Sequence, residues 1–392
     1  MRAGPSQDEI RRQNLGALLR YVHIHGATSR AELTATLGLN RSTIGALTAD
    51  LAAARLVSEE APRETGRAGR PSLVVRPESS LVYAYAYSIE VDRLRAARIG
   101  LGGEVLDRRE AARPRGLLAE ETLPLLAGFA RQMQQAVPAE SVYVGGGVAV
   151  SGIVRGEQGP LHVSPRTGWS GEPLGEALAT VVGPRRPVLV GNAADVVALA
   201  EHARGAGAGY DNVLYLHRDV GIDAGIIVDG RRLTGHGGYG GEVGHMVVRP
   251  DGRACGCGSR GCWETEIGEY AMLRLAGRDT AAPGASLALI DAASRGDASA
   301  QAAVRHVADW LGFGVANLVN IFNPAVVIFG GTLRDIYLAG AARVRSRLNA
   351  MALPAAREQV RLRTPLLGED AALIGAAELA FEQLLADPLD AG

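Results

Sequence analysis

The chain contains no lysine, so each of its 41 basic residues is an arginine and every fixed positive charge is a guanidinium. It has no run of about 18 or more apolar residues, which excludes a membrane-spanning helix. The opening MRAGPSQDEI lacks the apolar stretch of a secretory signal, and a cytoplasmic location is expected. Cysteine is scarce: three residues, an odd number, argue against an oxidising compartment. Net charge is −1, so no molecule-wide attraction to nucleic acid is expected. What is present is 392 residues with 47% hydrophobic content, enough for a full core and two or three domains.

All three cysteines fall in one stretch, GEVGHMVVRPDGRACGCGSRGCWE. His245, Cys255, Cys257 and Cys262 supply one imidazole and three thiolates, a set that suits a single tetrahedral Zn²⁺. Four protein ligands leave no position for water, so one structural ion per chain is expected. Gly256, Gly258 and Gly261 let a short backbone wrap around it. The alternative is three unpaired thiols beside a surface histidine.

Charge is unevenly distributed. Residues 1–77 hold eleven arginines against seven acidic residues, a net +4 that leaves −5 for the remainder. Ser6 with Glu9 makes a capping box, followed by Ile10, Leu15, Leu18, Leu19 and Val22 at helical spacing up to Gly26. A second helix opens at Ser29 with Glu32 and stops at Gly38. A third, capped by Asn40 or Ser42, runs to about Arg55 with Ile44, Leu47 and Leu51 on its buried face. A short helix, a tight turn and a longer helix make a helix-turn-helix. That geometry presents Arg41, Ser42, Thr43 and Thr48 to the major groove. Leu56 to Glu60 and Leu73 to Arg76 can pair around the loop Gly66 to Pro71, a candidate wing whose Arg67 and Arg70 suit a narrow minor groove. The alternatives are a solvated linker for the loop and a protein-interaction module for the three helices. His23 and His25 read as ordinary helix-end residues.

From Leu81 the chain alternates strand-like runs with helical stretches, and a second strand set, NVLYLHRDVGIDAGIIVDGRRL, looks like the first. Both hold a strand, a turn and a second strand ending near a glycine turn, Gly102-Gly103 and Asp229-Gly230, as in a duplicated lobe. Leu311, Val315, Leu318 and Phe322 form an apolar helical stripe that suits core or interface.

Glu242-Val243-Gly244-His245, followed by CxCGxxGCxE ending at Glu264, resembles the central motif of the ROK family, which joins sugar kinases to sugar-responsive repressors. Asn323 to Gly331 resembles the family's NPxxxxxGG segment. The resemblance implies an N-terminal winged-helix domain at 1–77 and an α/β actin-like, ribonuclease H-like, duplicated two-lobed body with ligand in the cleft between lobes. The first lobe would span 80–190 with 371–387, and the second 191–370. Phosphoryl transfer needs a glycine-rich acidic turn for phosphate and Mg²⁺, and a carboxylate base. Where family kinases read DxGGT, this chain has Ser88-Ile89-Glu90-Val91-Asp92. Where they place the base in NDAN, it has Asn192-Ala193-Ala194-Asp195, with Ala193 at the base position. Asp195, roughly 200° further around a helix, does not replace it. Asp223 in the second glycine turn would repel a triphosphate. The positions that the resemblance assigns to sugar hydroxyls persist: Asn192, Glu242, His245 and Glu264, with Gly152 lining the cleft. For Glu242 and Glu264 the alternative is a supporting role around the zinc loop. Arg166 replaces a sugar-touching asparagine, which favours an acidic or phosphorylated sugar.

The expectation is therefore a cytoplasmic, zinc-containing transcriptional regulator that is not an enzyme. It would bind two-fold symmetric operator DNA as a homodimer or dimer of dimers under control of a sugar or sugar-phosphate effector. Repression is the default, and activation fits the residues equally. The alternatives are an ATP-dependent sugar kinase tethered to DNA and an effector-independent regulator.

Overall fold

Helix capping written in the sequence opens the N-terminal module of the computed structural model, which describes residues 6–61, 72–114, 116–156, 160–164, 168–183, 186–218, 221–279 and 284–389. Ser6 Oγ accepts the Glu9 amide and the Glu9 carboxylate accepts the Ser6 amide, starting α1 (Gln7–His25). After β1 (Thr28–Ser29), the Ser29 side chain caps α2 (Arg30–Leu37), which ends at Gly38 in the left-handed conformation, φ 65°. Asn40 caps α3 (Arg41–Ala53) by accepting the Thr43 amide, and the Ser42 hydroxyl donates to the same Asn40 oxygen. Leu18, Leu19, Val22, Leu33, Ile44 and Leu51 are fully buried, whereas Ile10 is exposed. β2 (Val57–Glu60) and β3 (Val74–Pro77) pair antiparallel, and β1 adds to β3, giving the order β1-β3-β2. The two-residue β1 was not expected, being too short to carry a pattern.

The chain divides into two compact units, 1–193 with 372–392, and 194–371. In the first unit, β4 (Val82–Ile89) and β5 (Arg93–Gly100) are buried on both faces; β4 reads as a near-continuous apolar run, whereas β5 carries Arg95 and Arg98 into the buried sheet. With β6 (Val105–Ala112) they make an antiparallel meander. α4 (Ala119–Gln134) leads into β7 (Val142–Val150), parallel to β4. A small sheet of β8 (Ile153–Val154), β9 (Leu161–Ser164) and β10 (Trp169–Glu172) follows, then α5 (Leu174–Val182) and β11 (Val188–Asn192), parallel to β7. The main sheet order is β11-β7-β4-β5-β6.

The second unit repeats this plan. Past α6 (Ala193–Arg204), β12 (Val213–Arg218), β13 (Ile222–Val228) and β14 (Arg231–Arg232) form an antiparallel meander. Four helices follow: α7 (Glu264–Ile267), α8 (Glu269–Leu275), α9 (Ala285–Ser294) and α10 (Ala298–Phe322). β15 (Val326–Gly331) then pairs parallel with β12, and after α11 (Thr332–Met351) and α12 (Pro354–Gln359), β16 (Arg361–Arg363) pairs parallel with β15. The order β14-β13-β12-β15-β16 is the first sheet's order read from the other edge. Leu311, Val315 and Leu318 are buried in the core of this unit and Phe322 packs against it, so the stripe is core. The last helix, α13 (Ala371–Ala386), returns to the first unit. There it runs so close to β7 that a side chain at Gly147 would overlap the Ala376 carbonyl. Among the described residues no helix is long and apolar enough to cross a membrane.

Candidate functional site

The three cysteines and His245 converge. Their ligand atoms all lie within 4.8 Å of one another. A tight 3₁₀ turn, Val243–His245, presents the histidine, and the bridges Val247↔Cys262 and Ala254↔Arg260 fold the cysteine loop back on itself. Gly258 and Gly261 adopt positive φ, 91° and 68°, and the Arg249 carbonyl fills the space a side chain at 261 would need. Gly256 has neither a positive φ nor a close neighbour, so the expectation that it helps wrap the loop is not met. The His245 Nδ1 lies 3.6 Å from Cys255 Sγ, and Cys257 Sγ lies 3.7 Å from Cys262 Sγ. Zinc bond lengths impose tetrahedral edges of about 3.6 Å for N···S and about 3.8 Å for S···S, so the donor set fits that ion. Burial pushes the Cys255 and Cys262 thiols up, while the Ser259 amide lowers Cys257, which is exposed at the loop tip.

Two carboxylates flank this cluster. Glu264 accepts the Cys255 thiol at 2.8 Å and stands 3.7 Å from His245 Nδ1, while Glu242 stands 3.9 Å from His245 Nε2. Burial, then Asp223, pushes Glu242 up to about 7; His245 opposes the shift and Glu264 adds to it. Asp195, on α6, is also pushed up to about 7 by burial, with Arg232 opposing and Asp223 and Glu242 adding. Buried Asp195 and half-buried Asp223 and Arg232 thus belong to one charged group in the second unit. The sequence carried only a faint sign of it, an acidic residue within an apolar helix face.

In the first unit, Asn192 and Gly152 come together, the Asn192 amide donating to the Gly152 carbonyl at 3.0 Å. Arg166 lies outside the described residues. The turn after β4 is taken up by its own side chains. The Glu90 amide donates to the Arg93 carbonyl, and the Glu90 carboxylate accepts from Ser88, Arg93 and Arg95, the last at 2.9 Å from Nε. A carboxylate held by two guanidiniums therefore stands in the turn that aligns with the kinases' DxGGT. Ala193 is the first residue of α6 and offers a methyl group.

At the start of α3, Arg41 and Ser42 are exposed and Thr43 is half-buried. Thr48 is not available to DNA: it is fully buried, and its hydroxyl donates to the Ile44 and Gly45 carbonyls within α3. Its place one turn after Ile44, on the same face, accounts for this. Arg67 and Arg70 lie outside the described residues. His23 is fully buried and so is no ordinary helix-end residue. Its spacing of four from Leu19 puts it on the core stripe, a signal the sequence did carry.

A family model described as the ROK family matches residues 86–383. The chain is 27% identical over 396 residues to a putative xylose repressor of Caldicellulosiruptor sp. (strain Rt8B.4), covering 97% of this chain and 98% of that protein. A glucokinase of Halalkalibacterium halodurans is 32% identical over 259 residues, covering 62% of this chain and 78% of the enzyme. Among solved structures, a ROK family transcriptional regulator described as a homologue of the E. coli MLC protein matches with a TM-score of 0.78 at 26% identity, over 97% of this chain and 98% of that one.

Proposed function

The chain belongs to the ROK family, and from that premise we propose that it is a sugar-responsive transcriptional repressor whose kinase-like body binds an effector without phosphorylating it. One observation carries this reading. The family region begins at residue 86, while the repressor and regulator relatives match along 97% of the chain, N-terminal module included. That module we read as a winged helix-turn-helix: α2 and α3 flank the Gly38 turn, and the paired strands β2 and β3 lie on either side of residues 62–71 in the chain. Arg41, Ser42 and Thr43 at the start of α3 read the major groove, and Arg67 and Arg70 reach the minor groove. Paired half-sites supply the specificity that one recognition helix lacks, so the operator is two-fold symmetric and the protein binds it as a homodimer or dimer of dimers.

The reading of a silent body rests on two features. Ala193 cannot accept a proton, and the side chains of Glu90 and its arginine partners occupy the turn after β4 where family kinases carry glycine. His245, Cys255, Cys257 and Cys262 hold one Zn²⁺, which when bound supplies structural rigidity and, with four protein ligands, no site for water. Asn192 and Gly152 in one unit, and Glu242, His245 and Glu264 in the other, offer amide, carbonyl, carboxylate and imidazole groups suited to sugar hydroxyls. Arg166 would pair with a carboxylate or phosphate on the effector.

The test is a thermal-shift screen of zinc-loaded protein against xylose, glucose, sugar acids, sugar phosphates and ATP with Mg²⁺. Stabilisation by one sugar class without ATP is expected. Stabilisation by ATP, followed by sugar-dependent ADP release, would favour the kinase reading that the glucokinase relative represents. If Arg166 selects the effector, isothermal titration of Arg166→Ala shows affinity for acidic or phosphorylated sugars lost by tenfold or more, with neutral sugars unaffected; unchanged selectivity counts against that role.

A further inference from the structure

The His23 ring touches three parts of the chain at once. On α1 of the N-terminal module, its Nδ1 lies 2.5 Å from the carbonyl of Leu101, in the turn between β5 and β6. Its Nε2 lies 2.8 Å from the Glu378 carboxylate on α13. The ring also meets Phe381 of α13 edge-on, with centroids 5.3 Å apart. His23 is fully buried and Glu378 is 5% exposed, so neither group can exchange its partner for water without opening the junction.

The rest of α1 follows α13 closely. A side chain at Gly16 would come within 2.6 Å of the Leu385 carbonyl, so the two backbones meet with no side chain between them. Further along, Arg12 pairs with Asp387 at 3.2 Å. The correspondences 12 with 387, 16 with 385 and 23 with 378 run antiparallel, so these positions of α1 lie against the C-terminal half of α13 and the residue that follows it. α13 has a second attribute. The chain passes from the first unit to the second at Ala193–Ala194 and returns at Ala371–Ala372, the first step of α13. One helix therefore begins at a crossing between the units and ends on the helix that opens the DNA-reading module.

We infer that His23 and Glu378 are positioning residues for regulated DNA binding: their bridge couples α13 to α1 and thereby the state of the sugar-binding body to the DNA-reading helices. The inference rests on the sugar-responsive repressor reading above. A buried polar bridge suits this task because it has one satisfied geometry and resists intermediate ones. Apolar contact along the same helices would tolerate sliding. His23 makes no contact with DNA or effector in this scheme and acts only through α13 and the β5–β6 turn.

The test uses the full zinc-loaded chain with three single substitutions. Glu378→Gln keeps the shape and removes the charge. His23→Leu removes both hydrogen bonds. Gly16→Ala leaves every polar group in place and wedges α1 away from α13. Operator affinity is measured by fluorescence anisotropy with and without the sugar that shifts the wild-type melting temperature, alongside sugar affinity by calorimetry. The expected result is a ratio of operator affinities, without and with sugar, that falls at least fivefold toward unity in all three variants, with sugar affinity kept within about threefold. Variants that keep the wild-type ratio would overturn the inference. So would variants that lose operator binding, sugar binding and cooperative melting together, because the bridge would then be a fold requirement alone. A wild-type chain whose operator affinity ignores every sugar tested would sink the repressor reading, and this inference with it.

Discussion

A methyl group at the head of α6 and an ion-paired carboxylate in the turn after β4 are the two features on which the proposed silence of the body rests. Ala193 has nothing to accept a hydroxyl proton, and Glu90, ion-paired to Arg93 and Arg95, fills its turn with side chains. Restoring one without the other should therefore fail. Ala193→Asp is expected to show no ATP-dependent sugar phosphorylation in a coupled ADP assay, and measurable turnover would mean that the turn after β4 is no obstacle. Asp195 makes stability depend on pH. Its folded pKa of about 7 stands above the ordinary 3.8, so the folded state holds the proton more tightly than the unfolded state does. Stability from this group is then fully present below about pH 4 and is lost as pH rises through 7. Asp195→Asn should stabilise the protein at pH 8, by up to about 4 kcal/mol at ~1.4 kcal/mol per unit, and clearly less at pH 5. Urea melts at both values check this; equal shifts would show that Asp195 stays ionised in the fold. Asp195 was legible as an acidic residue in a helix, but its burial was not, because Asp223, Glu242 and Arg232 reach it from distant positions.

At the scale of elements, the cysteine loop is a knuckle whose geometry depends on glycine at two positions and whose four clustered donors could hold a metal. Cys257→Ser should reduce bound zinc well below one ion per chain, by metal analysis, and lower the melting temperature by several degrees. It should weaken sugar-induced stabilisation as well, since His245 sits between the thiols and Glu242. Full zinc content in that variant would remove Cys257 from the ligand set. Gly261→Ala should behave similarly without altering a ligand: alanine at φ 68° is strained, and its methyl would press on the Arg249 carbonyl. The clustering of His245 with the three cysteines was readable because they crowd into one stretch of chain. Helix starts at Ser6, Ser29 and Asn40 were readable too, because capping is a local exchange of hydrogen bonds between residues three apart. Thr48 was misjudged for the opposite reason: a short polar side chain can satisfy itself on its own helix and turn inward, and nothing in its identity announces that.

For the whole molecule, the repeated sheet order shows why a duplicated lobe could be recognised from two similar strand sets, since each set carries its own meander and glycine turn. The contact between His23 and Glu378, 355 residues apart, leaves only a helical-spacing hint in the sequence at one end and none at the other. The match of the repressor and regulator relatives along 97% of the chain supports a regulator that senses sugar and acts on DNA. The most direct test incubates the purified, zinc-loaded full chain with sheared genomic DNA of its source organism, with and without each sugar of the screen, and sequences what is retained. Enrichment of a few two-fold symmetric sites, reduced by one class of sugar and indifferent to ATP, is the expected outcome. Retention without sequence preference, or symmetric sites whose occupancy no sugar changes, would contradict a sugar-controlled repressor.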